Sequence, residues 1–304
     1  MNSSSANNPT VGLVGLGAMG RGVALNLMRK GYRVIGFDVN PEALSWLTTQ
    51  GGEAAQSLAA DAARVDVLIS FVVNDAQTEA VLFGEGGAVG HLKAGALVIT
   101  CSTMPPSYVE ALGQRLAQAG LALVDAPVTG GKVGAEAGTL TIMTAGAPAH
   151  VARAKPILET FGKRVFVLGD KPGMGSKMKV INQLLCGVHL AAAGEALALA
   201  HRSGLPMETT LEILKSGAAS SWMLGDRGPR MVKEAFDDVT SAVDIFVKDL
   251  GLVADAAREA KFPAPIAQAA FLDFLGASAR GWGRLDDSAV FKHYTELFKT
   301  NTAQ

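Results

Sequence analysis

An α/β domain on a doubly wound, mostly parallel sheet, joined through one long shared helix to an all-α C-terminal domain, is the fold the sequence predicts. Three observations predict it. Near the N-terminus an apolar run, a glycine turn, a helical repeat and a second apolar run follow one another and end on an acid. Short apolar runs then recur between polar turns as far as residue 168. From Gly173 onward the apolar spacing is helical throughout. That change divides the chain into residues 1–172 and 173–304.

Residues 10–14 are the first apolar run, and they lead into Gly15-Leu16-Gly17-Ala18-Met19-Gly20. Val23, Ala24, Leu27 and Met28 follow at helical spacing, then a second strand over 32–37 ends at Asp38. The acid comes 18 residues after the third glycine, near the ~20 of a dinucleotide-binding βαβ unit of Rossmann type. A lone GxGxxG is common; in this setting it points to a dinucleotide. Gly15 serves the tight turn, Gly17 lets backbone approach a pyrophosphate, and Gly20 allows close packing of the helix. The helix N-terminus, with free N–H groups and its dipole, suits that anion. Asp38 would accept from the ribose hydroxyls and repel a 2'-phosphate, and Val39-Asn40 brings no arginine, so NAD is expected over NADP. A second reading makes Asp38 the cap of a helix starting at Pro41.

The alternation continues with a helix over 43–47 and strands over 65–73 and 96–100. Asn74 and Thr103 follow these two strands, at the carboxyl edge where such sheets bind ligands. Each is a candidate to touch the cofactor; each is equally a turn former or helix cap. Further strands are expected over 121–124, 140–145 and 165–168. Thr129-Gly130-Gly131 combines a hydroxyl with unshielded N–H groups, which suits a carboxylate. Read alone, it is a turn.

Residues 180–200 are an apolar run dominated by Ala, Leu and Val after Leu185, and Gly204 and Pro206 stop the run. The length excludes a strand, and the even apolarity predicts a helix buried on most sides. Asn182, Gln183, His189 and Glu195 interrupt it, which favours a core helix over a membrane span. Lys179 and an amide, Asn182 or Gln183, stand three or four residues apart and share a face. Downstream, helices are expected over 207–216, 231–235, 243–260 and 266–276. Lys248 adjoins an apolar stretch, where a solvated helix face is the plain reading. Residues 220–230 read as a surface loop or as a source of pocket donors.

Composition narrows the function. The chain of 304 residues is 49% hydrophobic and 18% charged, with a formal charge of −1 and no block of like charges. Neither nucleic acid nor an anionic membrane is an expected partner. Cys101 and Cys186 lack metal-type spacing and read as core residues of a cytoplasmic protein. No metal site is expected. The first ten residues, polar and uncharged, read as a disordered tail.

Together these motifs resemble the β-hydroxyacid dehydrogenases, the family around 3-hydroxyisobutyrate dehydrogenase. The resemblance covers residues 11 to about 293 and is carried by GLGAMG at 15–20, DAPVTGG at 125–131, GMGSKMK at 173–179 and KDLG at 248–251. It implies NAD-dependent oxidation of a small hydroxy acid by a homodimer or homotetramer. It also implies that Lys179 is catalytic, that Thr129, Gly130 and Gly131 hold the substrate carboxylate, and that an amide positions the substrate. Lys248, Asn74 and Thr103 would contact the cofactor. Two departures stand out: Thr129 replaces a frequent serine, and Gln183 replaces a frequent asparagine, with Asn182 beside it. The texts at 184–200, 221–223 and 241–251 bring the chain nearest to family members acting on L-threonate. Members acting on 3-hydroxyisobutyrate, tartronate semialdehyde or D-glycerate are the alternative, and an inactive dinucleotide-binding module is the non-enzymatic one. Related imine reductases lack this lysine.

Oxidising a secondary alcohol needs a base for the hydroxyl proton. A free lysine, with a pKa near ~10.4, is a poor base at neutral pH. Desolvation, with Lys248 or Lys177 nearby, would push Lys179 downward. His189 lies ten residues along the helix, roughly 15 Å away, and is a poor rival.

Overall fold

The computed structural model describes residues 8–297. Residues 1–7, the greater part of the expected tail, lie outside the described residues, as do 298–304. Two of the tail's last three residues are held: the Asn8 amide donates to the carbonyls of Lys30 and Gly31, and Thr10 N–H donates to Asp66 Oδ2 at 2.9 Å.

The N-terminal half runs β1 (Val11–Val14), α1 (Ala18–Arg29), β2 (Val34–Phe37), α2 (Pro41–Thr49), β3 (Glu53–Ala54), α3 (Leu58–Asp61), β4 (Val67–Ser70), α4 (Asp75–Phe83), β5 (Leu97–Thr100), α5 (Pro106–Gln118) and β6 (Ala122–Asp125). It continues with β7 (Val128–Thr129), α6 (Gly131–Ala137), β8 (Leu140–Ala145), α7 (Pro148–Leu158) and β9 (Gly162–Gly169). The strand order is β3-β2-β1-β4-β5-β6-β8-β7, with β9 on β8. The strands from β3 to β6 are parallel; β8 runs antiparallel to β6 and β7. Strand order reverses between β1 and β4, which opens a crevice at the strands' carboxyl ends.

Neighbouring residues on each strand enter different cores, because side chains alternate across a sheet. Leu13, Ile69, Ile99 and Val124 join one cluster with Val23, Leu27 and Phe161. Val14, Leu68, Val98 and Leu123 join the other with Leu112 and Leu116. Helices cover both faces, so the central strands read as unbroken apolar runs.

The C-terminal half is helical: α8 (Met174–Arg202), α9 (Met207–Ser216), α10 (Trp222–Val232), α11 (Val243–Glu259), α12 (Pro265–Ala277) and α13 (Val290–Leu297). Its own core gathers Leu190, Leu197, Met231, Phe246, Phe274 and Phe291, with the Phe246 and Phe274 rings stacked at 4.9 Å. The chain divides within α8 into two compact units, Met1–Lys179 and Val180–Gln304.

Three expectations change. The stretch 173–204 is one helix from Met174 to Arg202, and the glycine-punctuated turn expected at its start, over 173–179, is itself helical from Met174. It is not buried on most sides, since Met174, Met178, Ile181, Leu185 and Leu199 are exposed. By length and composition α8 could cross a membrane; Leu190, Ala193 and Leu197 instead pack into the second core. The helix expected over 231–235 is the end of α10, closed by Glu234 at φ +48°.

Candidate active site

The turn into α1 is built for close approach. Gly15 has φ +89°, and a Cβ on Gly20 would lie 1.8 Å from the Gly15 carbonyl oxygen. Gly17 caps α1 without any side-chain hydrogen bond, and Gly17 and Ala18 are exposed, whereas Leu16 and Gly20 are buried and Met19 half-buried. A Cβ on Gly17 would meet no atom of the protein. The first N–H groups of α1 therefore face open space, where an anion can sit.

Asp38, half-buried at the end of β2, accepts from Leu16 N–H at 2.6 Å and Asn40 N–H at 2.8 Å. The cap of α2 is Asn40, whose side chain accepts from Glu42 N–H at 2.9 Å, so Asp38 does not fill that role. A cleft of about 620 Å³ runs along α1 and includes Leu16, Gly17, Asp38, Arg21, Trp46 and Lys132. The Arg21 guanidinium lies over Trp46 at 4.9 Å. It places in the cleft a cation that the residues next to Asp38 do not provide.

Asn74 caps α4 through Gln77 N–H at 2.8 Å, while Thr103 is half-buried in the turn after β5. Thr129-Gly130-Gly131 is more than a turn. Thr129 ends β7, Gly130 at φ +127° caps α6, and Gly131 is the first residue of that helix. Asn26 fastens this element to α1 by donating to the carbonyls of Gly22, Ala135 and Glu136 at 2.9, 2.8 and 3.2 Å.

Along α8, Ser176, Lys179 and Gln183 are buried, at 1%, 8% and 7% exposure. Their spacing of three and four puts them on one helix face. Lys177 turns away and pairs with Glu110 at 2.7 Å; it is not the neighbour expected beside Lys179. Of the two amides, Gln183 is buried and Asn182 half-buried. Asn182 donates to Gln183 Oε1 at 2.8 Å, and Gln183 donates to Asp249 Oδ2. Asp249, buried in α11, also accepts from Lys248 Nζ. Lys248 thus stands in an ion pair and not on a plain solvated face. His189 is exposed.

Sequence reasoning named no role for Asp125, Asn26 or Asp249. Asp125 carried a signal, an acid closing a wholly apolar strand, the same pattern that singled out Asp38. The 220–230 region is also not a loop: Arg227 is buried in α10 and bonded to Asp287 at 2.8 and 3.1 Å and to Asp226. Three or more His, Cys, Asp or Glu grouped as metal ligands do not occur among the described residues.

An exposed helix end within GLGAMG, an acid after β2 and a buried lysine are the features expected of a nicotinamide-dinucleotide-dependent oxidoreductase. Residues 10–169 match the NAD-binding domain of 6-phosphogluconate dehydrogenase, and 173–294 match the NAD-binding region of NADP-dependent 3-hydroxyisobutyrate dehydrogenase. The chain belongs to the 3-hydroxyisobutyrate dehydrogenase-like family of β-hydroxyacid dehydrogenases. It is 47% identical to L-threonate dehydrogenase of Cupriavidus necator, over 93% of this chain and 95% of that protein. The L-threonate dehydrogenase of Escherichia coli K12 is 43% identical over 94% and 95%. A solved 3-hydroxyisobutyrate dehydrogenase from Salmonella typhimurium superposes with a TM-score of 0.90 at 43% identity, covering 94% of this chain and 99% of that one.

Proposed function

We propose that the protein oxidises L-threonate to 2-dehydro-L-erythronate with NAD, using Lys179 as general acid and base. The observation that carries this reading is a lysine with 8% exposure on α8, in a chain 39–47% identical to several L-threonate dehydrogenases. Bound NAD would supply the hydride acceptor. Gly15 to Gly20 would hold its pyrophosphate at the open end of α1, and Asp38 its ribose. Asn74, Thr103 and Lys248 are assigned to the rest of the cofactor.

Lys179 takes the hydroxyl proton in the oxidising direction and returns it in the reducing one. Protonated, it also stabilises the developing alkoxide. Thr129, Gly130 and Gly131 receive the carboxylate. Of the two amides, Asn182 lies toward solvent and Gln183 is committed to Asp249; this supports Gln183 as the holder of the Lys248–Asp249 pair and Asn182 as the freer one to meet substrate.

A second reading, oxidation of 3-hydroxyisobutyrate, rests on the Salmonella structure. Following NADH absorbance with L-threonate, 3-hydroxyisobutyrate, D-glycerate and tartronate semialdehyde separates the readings. The highest kcat/KM is expected with L-threonate. Preference for 3-hydroxyisobutyrate would install the second reading, and no turnover with any of them would leave a binding module. We assign the enzyme to the cytoplasm, which two cysteines outside any disulfide support, and to a homodimer or homotetramer. Met174, Met178, Ile181 and Leu185, an exposed apolar row on α8, support the latter; light scattering of the purified protein tests it.

A further inference from the structure

The carboxyl edge of the sheet carries a buried polar row on one face. Register pairs Ser70 with Thr100 and Thr100 with Asp125, and all three are fully buried. Ser70 Oγ and Thr100 Oγ1 find no hydrogen-bond partner. Asp125 is the opposite case, with both oxygens engaged. Oδ2 accepts from Gly173 N–H at 2.9 Å and Ser176 N–H at 2.8 Å, and Oδ1 accepts from the Ser176 hydroxyl at 2.8 Å. A carboxylate from the end of β6 therefore caps α8 from about 50 residues away in the chain.

The approach is too close for a side chain. A Cβ on Gly175 would lie 2.4 Å from the Met143 carbonyl oxygen and 3.0 Å from Asp125 Oδ2. The carboxylate is also kept at a cost. Burial pushes the Asp125 carboxyl up to about 6, against the opposing hydrogen bonds from Ser176, Gly173 and Gly175. Burial, helped by the same charge, pushes the Cys101 thiol up. On the outer side of this first turn, Lys177 and Glu110 make a separate, exposed tie to α5.

Ser176, which Asp125 grips, lies three residues before Lys179, so both project from one helix face. A slip of one residue would turn that face by about 100° and move it about 1.5 Å. We propose that Asp125 is the positioning residue for Lys179, clamping the first turn of α8 so that the height and rotation of the lysine are fixed. The proposal rests on the reading of Lys179 as acid and base.

Asp125→Asn is nearly isosteric and offers an NH2 where the protein already points donors. Ser176→Ala removes the hydroxyl alone and leaves the charge. Both are compared with Lys179→Ala in the full-length protein by steady-state kinetics, NADH fluorescence titration and amide hydrogen exchange. Displacing a catalytic group by about 1 Å is a change on the order of 10²-fold. Asp125→Asn is expected to lower kcat by that order, and Ser176→Ala by less. KM for the hydroxy acid and NADH affinity should hold, and exchange should quicken within residues 173–178. A kcat unchanged in both variants, with Lys179→Ala inactive, overturns the clamp. Exchange that quickens equally across β4, β5 and β6 also overturns it, in favour of a general structural role. If Lys179→Ala keeps its turnover, or no hydroxy acid is oxidised, the functional reading fails instead. The exchange pattern then decides the clamp alone: quickening confined to 173–178 supports it, and an unchanged pattern overturns it.

Discussion

Two helices that begin in the N-terminal unit, α1 and α8, follow a glycine with positive φ, Gly15 at +89° and Gly173 at +99°. Their first turns differ in what faces the free N–H groups. At α1 no side chain caps the helix, and Gly17 and Ala18 are open to solvent. At α8 a carboxylate of the protein itself fills the place, wholly buried. One helix end is open, as the proposed cofactor pyrophosphate would require; the other is closed by an anion of the protein itself. In the proposed function the open end would act through its backbone and the closed end through Lys179, one turn further on.

The contrast can be broken most sharply at the side chain. Lys179→Ala should lower kcat by roughly 10²–10⁴-fold, the range for a lost general acid or base, with NADH affinity intact in a fluorescence titration. Near-normal turnover would remove the closed end from the chemistry. At the open end, replacing Asp38 by Ser and Val39 by Arg should weaken NAD binding by roughly 10–100-fold. That is the equivalent of the ~1.5–3 kcal/mol of a hydrogen bond to a charged group. Preference should move towards NADP, and steady-state kinetics with both coenzymes read the ratio.

A matched pair of glycine substitutions then tests the two ends against each other. Gly175→Ala forces a Cβ onto the Met143 carbonyl and should destabilise the fold by ~1–3 kcal/mol, as overpacking does. Gly17→Ala meets no protein atom, so its loss should fall on NADH affinity and not on the melting temperature. Equal melting temperatures for the two variants would erase the distinction. The last effect concerns pH. A carboxyl raised in the folded state, here to about 6, contributes stability below its unfolded value of ~3.9, and that contribution is lost as pH rises through the folded value. The unchanged protein should therefore lose stability relative to Asp125→Asn between about pH 4 and pH 7. Thermal melts of the pair across that range read the difference; a constant gap would mean that Asp125 does not titrate there.

What the sequence made legible follows from the range of its signals. The βαβ unit was readable because its determinants, GLGAMG and Asp38, are local and stand at a set spacing. Leu140–Ala145 and Met207–Ser216 were found with the observed limits because both carry an unbroken pattern between clear stops. The opening of α8 reads as a glycine-punctuated turn, since Gly173-Met174-Gly175-Ser176 has no helical signature of its own; that Asp125 caps it is a contact from about 50 residues away that local pattern does not carry. The burial of α8 was overstated because composition cannot tell a core face from an apolar face left exposed. Asn40 took the capping role considered for Asp38, a choice between neighbours that pattern alone does not make. Arg21 and Asp38 share a cleft through the packing of α1 and α2, 17 residues apart in sequence, and no spacing rule predicts that. Gln183 is read against Asp249, 66 residues away.

The two cysteines turn out to be unequal, and that has a practical use. Cys101 is buried, and its thiol is pushed up by burial and by Asp125. Cys186 is half-buried on α8, one turn from Asn182, whose amide donates to its sulfur at 3.3 Å. With two cysteines in the chain, a maleimide dye would attach at Cys186 alone. The native sequence thus carries a single-site optical reporter on the helix that bears Lys179, ready for following hydroxy-acid binding without an engineered cysteine.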